Sequence, residues 1–376
     1  MSESFSTVEI SFMREALKEA RKGIGRTSPN PCVGAVIVKD SRIIGRGYHR
    51  KAGEPHAEIN ALRAAGTAAQ GADLYVTLEP CNHTGRTPPC SQSVARSGIR
   101  RVWIGMLDPN PRVDGGGAAY LRKQGIRVRH GLLEPECRRL NRPFITYITQ
   151  NRPWTVMKAG LTLDGKLTFR TNHGDRITGD ETFRQVHRLR DRLDAILVGA
   201  ETIRIDDPSL TARIRGRSGK NPVRVILDTW LRTSPEARVV SGRNDGLTWM
   251  FCSPDAAEDR AAQLADAGVT VIRAGLDPSG RLDLNHVVSE LARRQVTSLL
   301  VEGGGTVHGS FLKSRLVDHV KLFYAPVFGG AEGMSLIRGY SADGGGDRAI
   351  RLENVKHRRY GDDLMISGDV VYPPVS

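Results

Sequence analysis

From residue 12 to residue 21 apolar and charged positions alternate with helical spacing. Phe12, Ala16, Leu17 and Ala20 share one face, while Arg14, Lys18, Glu19 and Arg21 lie mostly away from it. The run 33–38, VGAVIV, is continuously apolar, as a buried strand is, and Asp40-Ser41 opens a hairpin whose return strand carries Ile43 and Ile44. A helix carrying His56 and Glu58 follows, with Pro55 in its first turn, where a missing N–H costs nothing. Residues 74–78, 101–105 and 126–129 read as further strands with helical pattern between them. Alternating helices and strands predict a layered α/β fold.

Asn151-Arg152-Pro153 breaks this rhythm, because proline restricts the residue before it. The expected division is a first domain over 1–150 and a second over 151–376, with 140–150 as a connecting segment. Strands are expected at 154–159, 195–198, 223–227, 247–251 and 298–301, and helices at 182–192, 256–267 and 284–294. Such β-α-β spacing predicts a largely parallel sheet. A length of 376 residues agrees with two domains, since one core seldom grows that large. No internal repeat relates the halves.

Composition narrows the class. No apolar run is long enough to span a membrane, and the N-terminus lacks the apolar stretch of a signal peptide. Five irregularly spaced cysteines are no disulfide framework, so a cytoplasmic protein is expected. The net charge of +14 invites a nucleic-acid reading. Its distribution tempers that. Residues 1–152 hold 24 Lys/Arg against 13 Asp/Glu, and the remainder 31 against 28. The positive excess sits on the first half, where a phosphorylated small molecule accounts for it as well as tRNA or DNA does.

The chemistry concentrates at His56-Ala57-Glu58, Pro80-Cys81 and Cys90. One imidazole and two thiolates make three zinc ligands, leaving the fourth tetrahedral position for water, as a catalytic zinc requires. The metal would bring that water's pKa near neutrality, and Glu58 would be free to carry protons. Alone, a His-x-Glu is most often a polar helix face and two cysteines are buried thiols. In this order they match the zinc deaminases of nucleobases and related heterocycles. Those acting on nucleic acid have two residues between their cysteines; here the longer stretch 82–89 intervenes, carrying His83, Arg86 and two prolines. Cys32 follows Asn30-Pro31 near this chemistry but is not expected to be a ligand. In the second half, Glu302-Gly303-Gly304-Gly305-Thr306 follows a buried strand and precedes the helical stretch 307–315, as a phosphate-binding turn does. It is not the G-x-G-x-x-G fingerprint, and by itself is only a strand–helix turn.

The segment 79–90, EPCNHTGRTPPC, with 28–34, SPNPCVG, closely resembles the bifunctional riboflavin-biosynthesis deaminase/reductase family. Met157-Lys158, Leu163-Asp164-Gly165-Lys166, the stretch 206–211 (DDPSLT) and the stretch 301–305 (VEGGG) continue the likeness into the second half. The resemblance implies a zinc cytidine-deaminase-like domain followed by a dihydrofolate-reductase-like domain that uses NADPH. It implies deamination of a small phosphorylated pyrimidine and then reduction of its ribosyl chain. Asn30, His49, His83 and Arg86 match the family's substrate-contacting positions in the first domain. In the second, Gly160, Thr202, Asp206, Gly304, Gly305, Thr306, Val307, His308, Gly309 and Ser310 match the cofactor side. Arg190, Leu210, Arg213 and Glu302 match the substrate side. Two positions depart: Gly174 stands where a serine often meets substrate, and Arg176 where tryptophan often meets cofactor.

Two other readings compete. A tRNA or DNA deaminase with a non-reductase second half suits the basic first half, but not the long cysteine spacing, the near-neutral second half or the sparse aromatics. A structural zinc module lacks a fourth ligand in motif spacing. The expected partner is therefore a small molecule, with no nucleic acid or membrane, and a homo-oligomer is compatible with it.

Overall fold

The computed structural model describes residues 4–82, 89–110, 116–241, 245–342 and 345–374. It divides into two compact units, Met1–Arg152 and Pro153–Ser376.

The first unit runs α1 (Thr7–Arg21), β1 (Gly34–Lys39), β2 (Arg42–Tyr48), α2 (Ala57–Ala65), β3 (Asp73–Leu78), α3 (Cys90–Arg96), β4 (Arg101–Met106), α4 (Gly116–Lys123), β5 (Arg127–His130), α5 (Glu134–Leu140) and α6 (Arg142–Gln150). Helix α1 starts at a capping box: the Ser6 hydroxyl accepts from Glu9 N–H, and Ser6 N–H donates to the Glu9 carboxylate. Met13, Ala16, Leu17 and Ala20 form its buried face. Glu19 is buried with them, contrary to the helical-wheel expectation, because Lys22 and Arg46 pair with it. The sheet order is β2-β1-β3-β4-β5, with β1 antiparallel to β2 and β3 and the remaining pairs parallel.

Helix α2 lies directly on β2 because that strand offers glycine. A Cβ on Gly47 would stand 2.3 Å from Ala57 O, and one on Gly45 would stand 2.4 Å from Ala61 O. Backbone thus meets backbone, and the helix entrance is fixed to the sheet. Pro55 is not in the first turn, as the sequence suggested. His56 is the extended N-cap, at ψ 168°, and Pro55 lies outside. Its carbonyl turns sideways to accept from Asn60 Nδ2 instead of entering the helical ladder.

The second unit runs β6 (Trp154–Leu161), α7 (Asp180–Arg192), β7 (Ala195–Gly199), α8 (Ala200–Asp206), β8 (Val223–Leu227), β9 (Thr248–Cys252), α9 (Glu258–Asp266), β10 (Thr270–Arg273), α10 (Leu284–Arg293), β11 (Ser298–Val301), α11 (Gly305–Lys313), β12 (His319–Tyr324), β13 (Arg351–Tyr360) and β14 (Asp363–Val371). One sheet takes the order β10-β9-β8-β7-β11-β6-β12-β14-β13. It is parallel from β10 to β12, and β14 and β13 add antiparallel pairs. The central strands are buried on both faces: Ala195 and Leu197 of β7 join one core, Ile196 and Val198 the other. No described helix is long and apolar enough to cross a membrane.

Two candidate active sites

In the first unit three rigid elements converge. His56 caps α2, Cys81 follows the end of β3, and Cys90 is the first residue of α3. Glu79 anchors the β3 end, its buried carboxylate accepting from Asp108 N–H and from Ala118 N–H of α4 at 3.1 and 2.8 Å. His56 Nδ1 stands 3.2 Å from Cys90 Sγ and 3.6 Å from Cys81 Sγ. A tetrahedral zinc with Zn–S of about 2.3 Å and Zn–N of about 2.0 Å separates such atoms by about 3.5 Å. The donor set therefore fits zinc in both chemistry and spacing. Among the described residues no other group of three or more such donors converges in this way. Cys32 is not in the group; its Sγ lies 3.4 Å from Thr27 Oγ1.

Glu58, in the first turn of α2, is 3% exposed, and its Oε2 has no hydrogen-bond partner. Burial, opposed by the His56 charge, pushes its carboxyl up to about 7. A buried carboxyl that titrates near neutrality is suited to move protons. Beside it, His49 is buried, 2% exposed, with its ring edge-on to His56 at 5.1 Å. Pro55 O can only accept, so His49 Nδ1 carries the hydrogen over 3.3 Å, and Nε2 accepts from Asn30 Nδ2 at 3.0 Å. Burial lowers the His49 pKa and keeps the ring neutral. His83 and Arg86 lie outside the described residues.

Sequence reading missed Asn141, at the α5–α6 junction. Its buried amide accepts from Cys32 N–H at 2.8 Å and donates to Cys32 O at 3.1 Å, tying down the loop that presents Asn30.

In the second unit, Lys158 of β6, Arg190 of α7 and Glu302 at the end of β11 form a largely buried cluster. Arg190 grips Glu302 with two hydrogen bonds, 3.1 and 2.8 Å, and Lys158 Nζ stands 3.3 Å from Oε2. Burial alone would raise the Glu302 carboxyl, but the Arg190 and Lys158 charges reverse this and hold it at about 2. Gly304 is the N-cap of α11, and a Cβ there meets only Met334 Sδ, at 3.6 Å. Thr306 is exposed, and Val307 and Ser310 are partly so. The other members of this run face elsewhere. Cβ atoms on Gly305 and Gly309 would strike Ser335 O and Arg338 O, and His308 is fully buried with Nδ1 at 3.3 Å from Leu336 O. Their side-chain positions hold the 335–338 segment, leaving only backbone for a ligand.

Thr202 and Asp206 lie on α8, and Gly160 on β6 against Thr178. Burial and the Asp175 charge raise the Asp206 carboxyl. Gly174 is accounted for by Asp206, whose Oδ1 occupies the space a Cβ would need, 1.9 Å from it. The Arg176 guanidinium lies 4.7 Å from the Phe183 ring and bonds Thr178 O and Asp180. Leu210 takes a left-handed backbone, φ 49°, and its side chain is in the core. Arg213 is exposed, with its guanidinium 5.6 Å from the Phe183 ring.

Residues 6–106 match the cytidine and deoxycytidylate deaminase zinc-binding region, and residues 153–366 match the RibD C-terminal domain. The riboflavin biosynthesis protein RibD of Aquifex aeolicus is 42% identical over 367 residues, 96% of this chain and 98% of that protein. The chain belongs to the RibD family. The Escherichia coli member is 38% identical, over 86% of this chain and 89% of that protein. Among solved structures, Acinetobacter baumannii RibD superposes with a TM-score of 0.86 at 30% identity, covering 97% of this chain and 99% of that one. A Thermotoga maritima protein described as a diaminohydroxyphosphoribosylaminopyrimidine deaminase/5-amino-6-(5-phosphoribosylamino)uracil reductase superposes at 0.82 and 37% identity, covering 96% and 98%. Like its RibD relatives, this chain is a riboflavin-biosynthesis enzyme with a zinc-dependent deaminase domain and an NADPH-dependent reductase domain. The match over 153–366 argues against a nucleic-acid deaminase with a non-reductase second half.

Proposed function

We propose that the Met1–Arg152 unit deaminates 2,5-diamino-6-(5-phosphoribosylamino)pyrimidin-4-one, and that the Pro153–Ser376 unit reduces the product to 5-amino-6-(5-phosphoribitylamino)uracil. The observation that carries this reading is the unpartnered Glu58 Oε2 beside the His56, Cys81 and Cys90 donors. Zinc, when bound by those three, supplies the Lewis acidity that makes water a nucleophile at neutral pH. Glu58 accepts the proton of the attacking water and passes it to the ring nitrogen. It then takes the proton of the new C2 hydroxyl and gives it to the 2-amino group, which leaves as ammonia as the C2 carbonyl forms. The Asn30–His49 pair orients the pyrimidine, and His83 and Arg86 match family substrate-contacting positions and are expected to bind it as well.

In the second unit NADPH, when bound, would supply the hydride for reduction of the ribosyl chain. Lys158 Nζ donates the proton on the sugar side as the ring opens, while Arg190 holds Glu302 ionised against Lys158. Arg213 and the Leu210 backbone line the substrate side; Gly160, Arg176, Thr202, Asp206 and residues 304–310 line the cofactor side. We expect a cytoplasmic enzyme, where thiolate ligands stay reduced, with no nucleic-acid partner. A coupled assay on one substrate tests the reading. Ammonia release should precede NADPH oxidation, and each mole of pyrimidine should yield one of each; ammonia released from tRNA or single-stranded DNA instead would overturn it.

A further inference from the structure

Helix α7 carries, beside Arg190, a histidine to which no role has been given. His187 is 1% exposed, its ring lies 4.4 Å from the Phe183 ring, and its Nε2 has no hydrogen-bond partner. Its Nδ1 lies 3.0 Å from Arg213 N and 3.1 Å from Thr211 O. One nitrogen cannot both accept and donate there. If Nδ1 carried the hydrogen, Arg213 N–H would lose its acceptor and Nε2 would still be unpaired. With the hydrogen on Nε2, Nδ1 accepts from Arg213, and Thr211 O retains the Arg190 guanidinium at 3.4 Å. The second arrangement leaves fewer buried groups unsatisfied. Burial, with the Arg190 and Arg213 charges, lowers the ring's pKa to about 4, so it is neutral and retains this acceptor at neutral pH.

The segment held in this way lines a cleft of about 660 Å³ whose walls include Thr211, Arg213, Arg215, Arg217 and Asn221. Its far end is tied to the same helix: the Asp191 carboxylate accepts from Arg217 Nη2 at 2.5 Å and from Lys220 N–H at 2.8 Å. With Arg217 paired to Asp191, Arg213 and Arg215 on the same short cleft segment suit a phosphate.

We infer that His187 is a positioning residue for the reduction: by accepting the Arg213 N–H it sets the backbone from which Arg213 meets the phosphorylated end of the substrate. This rests on the reading of Arg213 as a substrate-side residue, so Arg213→Ala is measured alongside. In the full-length holoenzyme, His187→Leu removes the acceptor at similar volume. His187→Gln places its oxygen near Nε2, and His187→Asn places it near Nδ1. Leu and Gln should raise the KM for the deaminated pyrimidine, and the inhibition constant of inorganic phosphate, roughly five- to tenfold, as loss of one buried hydrogen bond does. The reductase kcat, NADPH affinity and ammonia release should stay within about twofold. The Asn variant should recover most of the KM. If Asn is as impaired as Gln, or if Leu and Gln leave KM unchanged while Arg213→Ala raises it, the acceptor role is wrong. An unchanged KM in Arg213→Ala would remove the substrate-side reading itself, and this inference with it.

Discussion

The two centres of this chain are built on different terms. In the first unit the candidate zinc donors come from the cap of one helix, just past the end of a strand and the first residue of another helix. Glycine–alanine packing presses α2 against β2 beneath them. The arrangement keeps one buried carboxylate oxygen without a partner. In the second unit the charged groups satisfy one another, with Glu302 gripped by both Arg190 and Lys158. The first site is poised for a metal and a proton. The second is a buried charge network whose members already satisfy one another.

The largest expected consequence of that difference is metal loss. Cys90→Ala should empty the first site, while Cys32→Ala should keep about one zinc per chain. Metal analysis of both proteins checks this, and equal loss would contradict the ligand set. Next is the acid stability of the second unit. Glu302 has its carboxyl lowered from 4.5 to about 2, so ionisation favours the folded state. That stabilisation is complete above the unfolded value and is lost as pH falls from about 4.5 toward 2. Glu302→Gln should cost about 3–5 kcal/mol by leaving buried cations unpaired, and should flatten this part of the pH profile. Urea titrations across that range measure both, and a variant with the parent's acid profile would contradict the network.

Smaller effects should mark the cofactor side. Gly304→Val puts a branched side chain at the N-cap of α11, and Asp206→Ala removes a carboxylate from α8. Each should raise the NADPH dissociation constant, by roughly three- to tenfold, and leave ammonia release unchanged. Normal NADPH binding in both would move the dinucleotide site elsewhere. Smallest of all should be Gly174→Ala, whose methyl must displace the Asp206 carboxylate. It should alter reduction by a few-fold at most if that carboxylate can swing aside.

Legibility in the sequence follows the same division. Strands β1, β7 and β11 are legible because burial on both faces favours runs of Val, Ile and Leu, and β3 and β8 are legible from their shorter apolar stretches. Strands β12, β13 and β14 are not. β13 reads RLENVKHRRY and is almost wholly exposed; its register with β14, not its own hydrophobicity, makes it a strand. The three donors and Glu58 were legible because their chemistry sits in short, ordered motifs. Asn141 was not: it acts on Cys32 across 109 positions, and a lone asparagine carries no pattern. His187 was hidden likewise, as one more polar residue on a charged helix. The burial of His308 came from packing against residues 335–338, which spacing alone does not reveal.

The division of labour itself is tested most directly by Glu58→Gln, which keeps the side chain's shape and removes its proton-carrying ability. Ammonia release from the diaminopyrimidine and NADPH oxidation with supplied deaminated intermediate are followed on the same preparation, together with its zinc content. Zinc should remain, ammonia release should fall by roughly 10²–10⁴-fold, and reduction should be unaltered. A variant that still deaminates at most of the parent rate, or one that loses both reactions together while folded and zinc-loaded, would contradict the account.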